Sequence, residues 1–230
     1  MNENNTPPFA ASSPSLRLRV CAEALGTMFL LATVVGSGIM GTRLSDDAGI
    51  ALLANSVATG AILYVLITMF APLSGAHFNP AVTLVMCLRG ELTWAHSIAY
   101  ICAQMVAAVA GVLLAHAMFD LPIWQTSGTV RTGVGQWLAE GVATFGLLST
   151  ILLVARHTPQ AVAAAVGLYI TAGYWFTAST SFANPAVTIA RTLTDTFAGI
   201  YPADMPGFIA AQLIGAALAA LLARFFLPER

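Results

Sequence analysis

Asn79-Pro80-Ala81-Val82-Thr83 recurs letter for letter as Asn184-Pro185-Ala186-Val187-Thr188. Each copy opens a short apolar run, at 79–88 and at 184–193. At about 1.5 Å per residue, a ten-residue helix reaches ~15 Å, half of a bilayer core of ~30 Å. Asn is a favoured N-cap, and Pro suits the first helical position because its missing N–H would lack a partner there anyway. The two copies therefore predict two half-length helices beginning at Pro80 and Pro185. The residue after each motif's Ala is Val, at 82 and 187.

The rest of the chain is a solvent match for lipid. It has 230 residues, 58% hydrophobic and only 8% charged, more apolar surface than a water-soluble domain can hide. There is no lysine, all nine positive charges are arginine, and the net charge of −1 gives no basis for nucleic-acid binding. The polar start of the chain has no apolar run, so the first hydrophobic stretch is expected to remain as a span. Cys21, Cys87 and Cys102 lie in or beside apolar segments, lack metal-site spacing, and are odd in number; they read as small buried residues. No cofactor or metal is expected. Nor is an enzyme, because no nucleophile–base–orienter pattern is present.

Full-length apolar runs fall at 20–41, 48–71, 94–119, 136–155, 159–176 and 205–226. Arg17, Arg19, Arg89, Arg156, Arg224 and Arg230 fall on the side of the N-terminal tail. Arg43, Arg131 and Arg191 fall opposite, among Asp46, Asp47, Asp120, Asp195 and Asp204. The positive-inside bias predicts both termini in the cytoplasm of a multi-pass protein of the cell membrane.

The two halves match beyond the motif. Glu23 with Thr27 corresponds to Glu140 with Thr144, and Gln104 corresponds to Gln212. Each half reads as span, span, half helix, span. Three spans is an odd number, so the second half enters from the opposite face. The expected fold is an all-α membrane protein of six transmembrane helices plus two re-entrant half helices in an inverted repeat, with permeation near the midplane. The boundaries are a polar tail at 1–19, a first repeat at 20–119, a linker at 120–135, a second repeat at 136–227 and a short tail at 228–230. The many span glycines read as crossing points.

Asn79 and Asn184 would cap their helices through the side-chain oxygen and keep the amide as a donor. Both positive helix ends then face the membrane centre. The irregular stretches 74–78 and 179–183 are tolerated at that depth only if buried or lining a wet cavity, where their carbonyls form a ladder of acceptors. Such a centre suits small neutral polar solutes and opposes cations.

His77-Phe78-Asn79-Pro80-Ala81-Val82-Thr83, Asn184-Pro185-Ala186 and the Glu23/Thr27 and Glu140/Thr144 pairs resemble the major intrinsic protein (aquaporin) family over nearly the whole chain after residue 19. The resemblance implies a homotetramer with one pore per subunit. It also implies that Glu23 and Glu140 hold the re-entrant loops by hydrogen bonds rather than bind solute. Water-selective members resemble one another in carrying Arg directly after the second Asn-Pro-Ala, within an outer constriction that also has an aromatic residue and a His. Here that position is Val187. Ungapped counting puts the other filter positions on Thr59, on Ala172 (or its neighbour Gly173) and on Ser181. That filter has no aromatic ring, imidazole or guanidinium, and is expected to be wide. It would pass water, glycerol-like polyols and, by resemblance to bacterial members associated with metalloids, neutral arsenite and antimonite.

Arg191 lies four residues past Val187, about one turn of 5.4 Å beyond. It is read either as a relocated vestibule charge or, preferentially, as an arginine answering the helix C-terminus or Asp195. His77 is read as a cytoplasmic vestibule residue sensitive to pH or as a loop anchor, readings that are compatible. His96, His116 and His157 suggest no metal site. Glu23 and Glu140 as intramembrane carboxylates also fit proton relays. The rivals to a passive channel are a secondary transporter and an ion channel using the same cavity.

Overall fold

The structure is a computed structural model describing residues 14–226. Eight α-helices occur among these residues: α1 (Leu16–Leu44), α2 (Ala48–Ser74), α3 (Pro80–Leu88), α4 (Trp94–Met118), α5 (Val134–His157), α6 (Val162–Phe176), α7 (Pro185–Ala190) and α8 (Met205–Phe226). The tails at 1–13 and 227–230, including Arg230, lie outside the described residues. Helix begins earlier than the expected tail boundary, at Leu16, because the Ser15 side chain caps Leu18.

Five of the helices are long and apolar enough to cross a membrane. The expected sixth, α6, has 15 residues, about 22 Å at 1.5 Å per residue. It is short because Pro159–Ala161 upstream winds as a 3-10 turn and Thr177 downstream is extended. α3 and α7 are the half helices, capped as expected by Asn79 and Asn184 with Pro in the first turn. α7 is shorter than its sequence run, since Arg191–Leu193 tightens into a 3-10 turn.

Packing repeats between the halves. α1 lies against α2 and α4, α5 lies against α6 and α8, and α2 with α6 joins the two halves. Helices in lipid associate through close packing, which small residues permit. Gly60 and Gly167 make the α2–α6 crossing: a Cβ on Gly60 would stand 2.7 Å from the Gly167 carbonyl, and one on Gly167 2.6 Å from the Gly60 carbonyl. The crossing brings backbone against backbone and fixes the width of the space that the half helices enter.

Candidate functional site

Each re-entrant loop is strained and held by one glutamate. Ala76 and Phe78 ahead of α3, and Thr180, Ser181 and Ala183 ahead of α7, have φ between 47° and 62°. This left-handed backbone costs non-glycine residues of order 1–3 kcal/mol each. Glu23, fully buried, offsets part of it. Its Oε1 accepts from the Ser74 hydroxyl at 2.7 Å and the His77 N–H at 2.9 Å; its Oε2 accepts from the Phe78 N–H at 2.7 Å and Gln104 at 2.8 Å. Glu140 repeats the device on Phe182 N–H and Ala183 N–H, both at 2.9 Å, and on Gln212 at 2.6 Å.

The threonines that join these brackets are Thr83 and Thr188 of the half helices. Gln104 also donates to Thr83 at 3.0 Å, and Gln212 to Thr188 at 2.8 Å, so each bracket ties a full helix to a half helix. Thr27 and Thr144 are buried with hydroxyls that meet no partner. Sequence reasoning saw the glutamines as repeat markers and missed this tie; the signal was the Thr at the fifth place of both motifs.

The half helices meet through their caps. Asn79 Oδ1 accepts from the Ala81 N–H, while its amide donates to the Ala183 carbonyl at 2.8 Å. Asn184 Oδ1 accepts from Ala186 and Val187, while its amide donates to the Phe78 carbonyl at 2.8 Å. The sequence left both amides free as donors; the structure instead commits part of each. One hydrogen of each crosses to the other half, leaving the second for the lumen.

A cavity of about 60 Å³ runs past both asparagines, enough for a few waters. Its wall is mostly apolar, with side chains spaced by four: Leu30 and Val34, Leu63 and Ile67, Leu147 and Ile151, Val166 and Ile170. Polar groups sit at the centre and at the end away from the termini. Beyond His77, which lines both spaces, the lumen widens into a vestibule of about 460 Å³. Among the described residues, no group of three or more His, Cys, Asp or Glu is placed to hold a metal ion.

Residues 10–159 match the family model described as Major intrinsic protein. The chain belongs to the major intrinsic protein family. Among relatives of this major intrinsic protein, "Aquaglyceroporin AqpS" of Rhizobium meliloti (strain 1021) is 59% identical over 94% of this chain and 93% of its own length. "Probable aquaporin TIP1-2" of Oryza sativa subsp. japonica is 29% identical over 94% and 88%. The aquaglyceroporin of Plasmodium falciparum shares the fold, with a TM-score of 0.70 at 20% identity, covering 92% of this chain and 95% of that one.

The residues read as the outer filter of this major intrinsic protein divide. Thr59, Ser181 and Val187 line the lumen. Ala172 does not: it is exposed on the outer face of α6. The helix turns Val166, Ile170 and Tyr174 inward, and the ring of Tyr174 takes the place assigned to Ala172, its hydroxyl 3.1 Å from Thr59 Oγ1. Gly173 faces Ser181 instead, where a Cβ would come within 2.7 Å of Ser181 Oγ.

Arg191 is also corrected. It is 2% exposed and lines the same lumen, which favours the relocated charge over the preferred pairing with Asp195. Its carbon lies 3.4 Å from the centroid of Phe182, and its Nε donates to the Ala198 carbonyl. Asp195 instead accepts from the Gly128 N–H, 2.9 Å away. Arg131 lies against the same ring, 5.3 Å from its centroid, and donates to the Gly199 and Phe197 carbonyls at 2.8 and 3.3 Å. Burial lowers the Arg131 pKa from its ordinary value, and nearby Glu140 opposes the shift. The lumen thus holds an aromatic ring and a guanidinium, and the expectation of a lining without either is overturned.

His77 is both anchored and part of the vestibule wall. Its N–H is tied to Glu23, its Nδ1 lies 3.1 Å from Thr83 Oγ1, and its ring packs on Tyr100 at 5.5 Å while lining the vestibule.

Proposed function

We infer that this chain is a passive transmembrane channel for small neutral solutes, water and glycerol-like polyols among them. The observation that carries the reading is the meeting of two half-helix N-termini, through Asn79 and Asn184, inside one narrow lumen. A solute oxygen there faces amide hydrogens and the positive ends of two helices, while apolar walls above and below offer nothing to an ion. Membership of a family of channels, and the aquaglyceroporin name of the 59% identical relative, support the same reading over a transporter or an enzyme.

Asn79 and Asn184 are the central donors; Thr59, Tyr174, Ser181, Val187 and Arg191 form the selective end; Glu23 and Glu140 anchor the loops. Neutral trihydroxides of arsenic and antimony offer hydroxyls like those of a polyol and belong to the same solute class. The channel works in a bilayer of the cell membrane, as a homotetramer, with both termini in the cytoplasm.

The test is glycerol-driven swelling of proteoliposomes. Swelling without any ion gradient supports the channel. Uptake that needs a proton or sodium gradient, or a measurable single-channel current, overturns it.

A further inference from the structure

His116 lies in the last turn of α4, completely buried and away from the lumen. A buried imidazole needs partners for both ring nitrogens. Nδ1 lies 2.8 Å from the Ile123 carbonyl in the linker, and Nε2 lies 2.8 Å from Thr194 Oγ1 in the loop after α7. A carbonyl only accepts, so Nδ1 carries the hydrogen, and in the neutral ring Nε2 accepts from the Thr194 hydroxyl. Thr194 therefore receives the hydrogen it shares with Thr196, 3.0 Å away. The chain of donors runs one way, from Thr196 in an outer-face pocket through Thr194 and His116 to Ile123.

Linker and loop are layered on each other. The Ser127 N–H donates to the Thr192 carbonyl at 2.9 Å, the Tyr201 N–H to the Thr129 carbonyl at 2.7 Å, and the Asp195 N–H to Gln125 Oε1 at 2.8 Å. Gly199 permits the close approach, since a Cβ there would overlap Ser127 Oγ and the Thr194 carbonyl. These bonds join the two segments only to each other. Among the described residues, His116 is the one side chain of a membrane-crossing helix that hydrogen-bonds the 192–200 loop. That loop in turn holds Arg191: the Ile200 N–H donates to the Arg191 carbonyl at 3.2 Å, and the Ala198 carbonyl accepts from Arg191 Nε.

We propose that His116 is a positioning residue for solute selection, acting on the lumen without touching the solute. It fixes Thr194, which ends the 3-10 turn Arg191–Leu193, and so sets where that turn places the guanidinium on the lumen wall. Packing alone would be served by any ring of similar volume. Two directed bonds to two different segments require a ring that donates on one side and accepts on the other. Without them the turn gains freedom, Arg191 withdraws from the wall, and the larger solute gains clearance first. The proposal rests on the channel reading above.

The experiment measures water and glycerol permeability of proteoliposomes by stopped-flow light scattering. His116→Phe fills the site without either bond, and Thr194→Val removes the partner hydroxyl at nearly constant volume. Each raises the glycerol-to-water ratio about fivefold, the fold-change that corresponds to one neutral hydrogen bond. His116→Gln, whose amide both donates and accepts, stays near the unaltered ratio. In an Arg191→Gln background His116→Phe changes the ratio no further, because its effect passes through Arg191. An unchanged or lowered ratio in Thr194→Val overturns the proposal. So does a ratio moved as far by His116→Gln as by His116→Phe, or an effect of His116→Phe that persists undiminished on Arg191→Gln. Should His116→Phe fail to insert, Thr194→Val decides, alone and on Arg191→Gln. Absence of glycerol flux in the unaltered channel overturns the channel reading instead.

Discussion

Asn79 and Asn184 are cross-tied: each caps its own half helix and donates its amide to the carbonyl just before the other's cap. The Asn184→Ala variant loses a cap worth about 1 kcal/mol and a crossed bond of similar size. Asn184→Asp keeps the cap oxygen but faces the Phe78 carbonyl with a second acceptor. Both variants are expected to lower the thermal midpoint of the purified channel. A midpoint for Asn184→Asp equal to the unaltered protein's would show that the crossed bond contributes nothing.

Glu140→Gln turns one acceptor into a donor in front of two buried N–H groups and Gln212. Leaving one buried donor unanswered costs about 1–3 kcal/mol. Thr144→Val in the same helix removes a buried hydroxyl that has no partner, and is expected to be neutral or slightly stabilising. Thermal unfolding in detergent ranks the two. A loss for Thr144→Val as large as for Glu140→Gln would contradict the bracket described for Glu140.

Gly60→Ala drives a methyl into the Gly167 carbonyl at the crossing of α2 and α6. Overpacking of this kind costs about 1–3 kcal/mol. Size-exclusion chromatography should show less monodisperse protein, with the effect larger than for Gly135→Ala, where a Cβ meets open space.

Val187→Arg adds a second guanidinium one helical turn before Arg191, on the same wall of the lumen. Stopped-flow assays are expected to show glycerol flux falling more than water flux, because the larger solute loses its clearance first. Equal loss of both would place Val187 outside the selective end.

How much of this was readable from residues alone depends on the reach of the interaction. Asn-Pro caps are local chemistry, so α3 and α7 start where the sequence puts them. Glu23 and Glu140 were legible because the repeat states them twice. Ala172 was misplaced because counting back from Asn184 crosses the Thr177–Ala183 loop, and the face of α6 is set by its packing on α2. The spacing by four of Val166, Ile170 and Tyr174 was the available signal. Arg191 was misjudged because helical rise locates a backbone, not a long side chain. The tightening at Arg191–Leu193 and the face of Phe182 send the guanidinium back toward the lumen, and both are tertiary facts.

The crossed donations of Asn79 and Asn184 also bear on how the molecule is made. Neither repeat can satisfy its own centre, since the acceptor for each amide lies on the opposite repeat. Synthesis delivers the first repeat to the bilayer before the second exists. During that interval the first re-entrant loop has its glutamate anchor but no counterpart across the midplane. Completion of this centre therefore waits on the docking of one hairpin tip against the other, and a chain cut within the 120–135 linker should recover conduction only when both pieces are produced together.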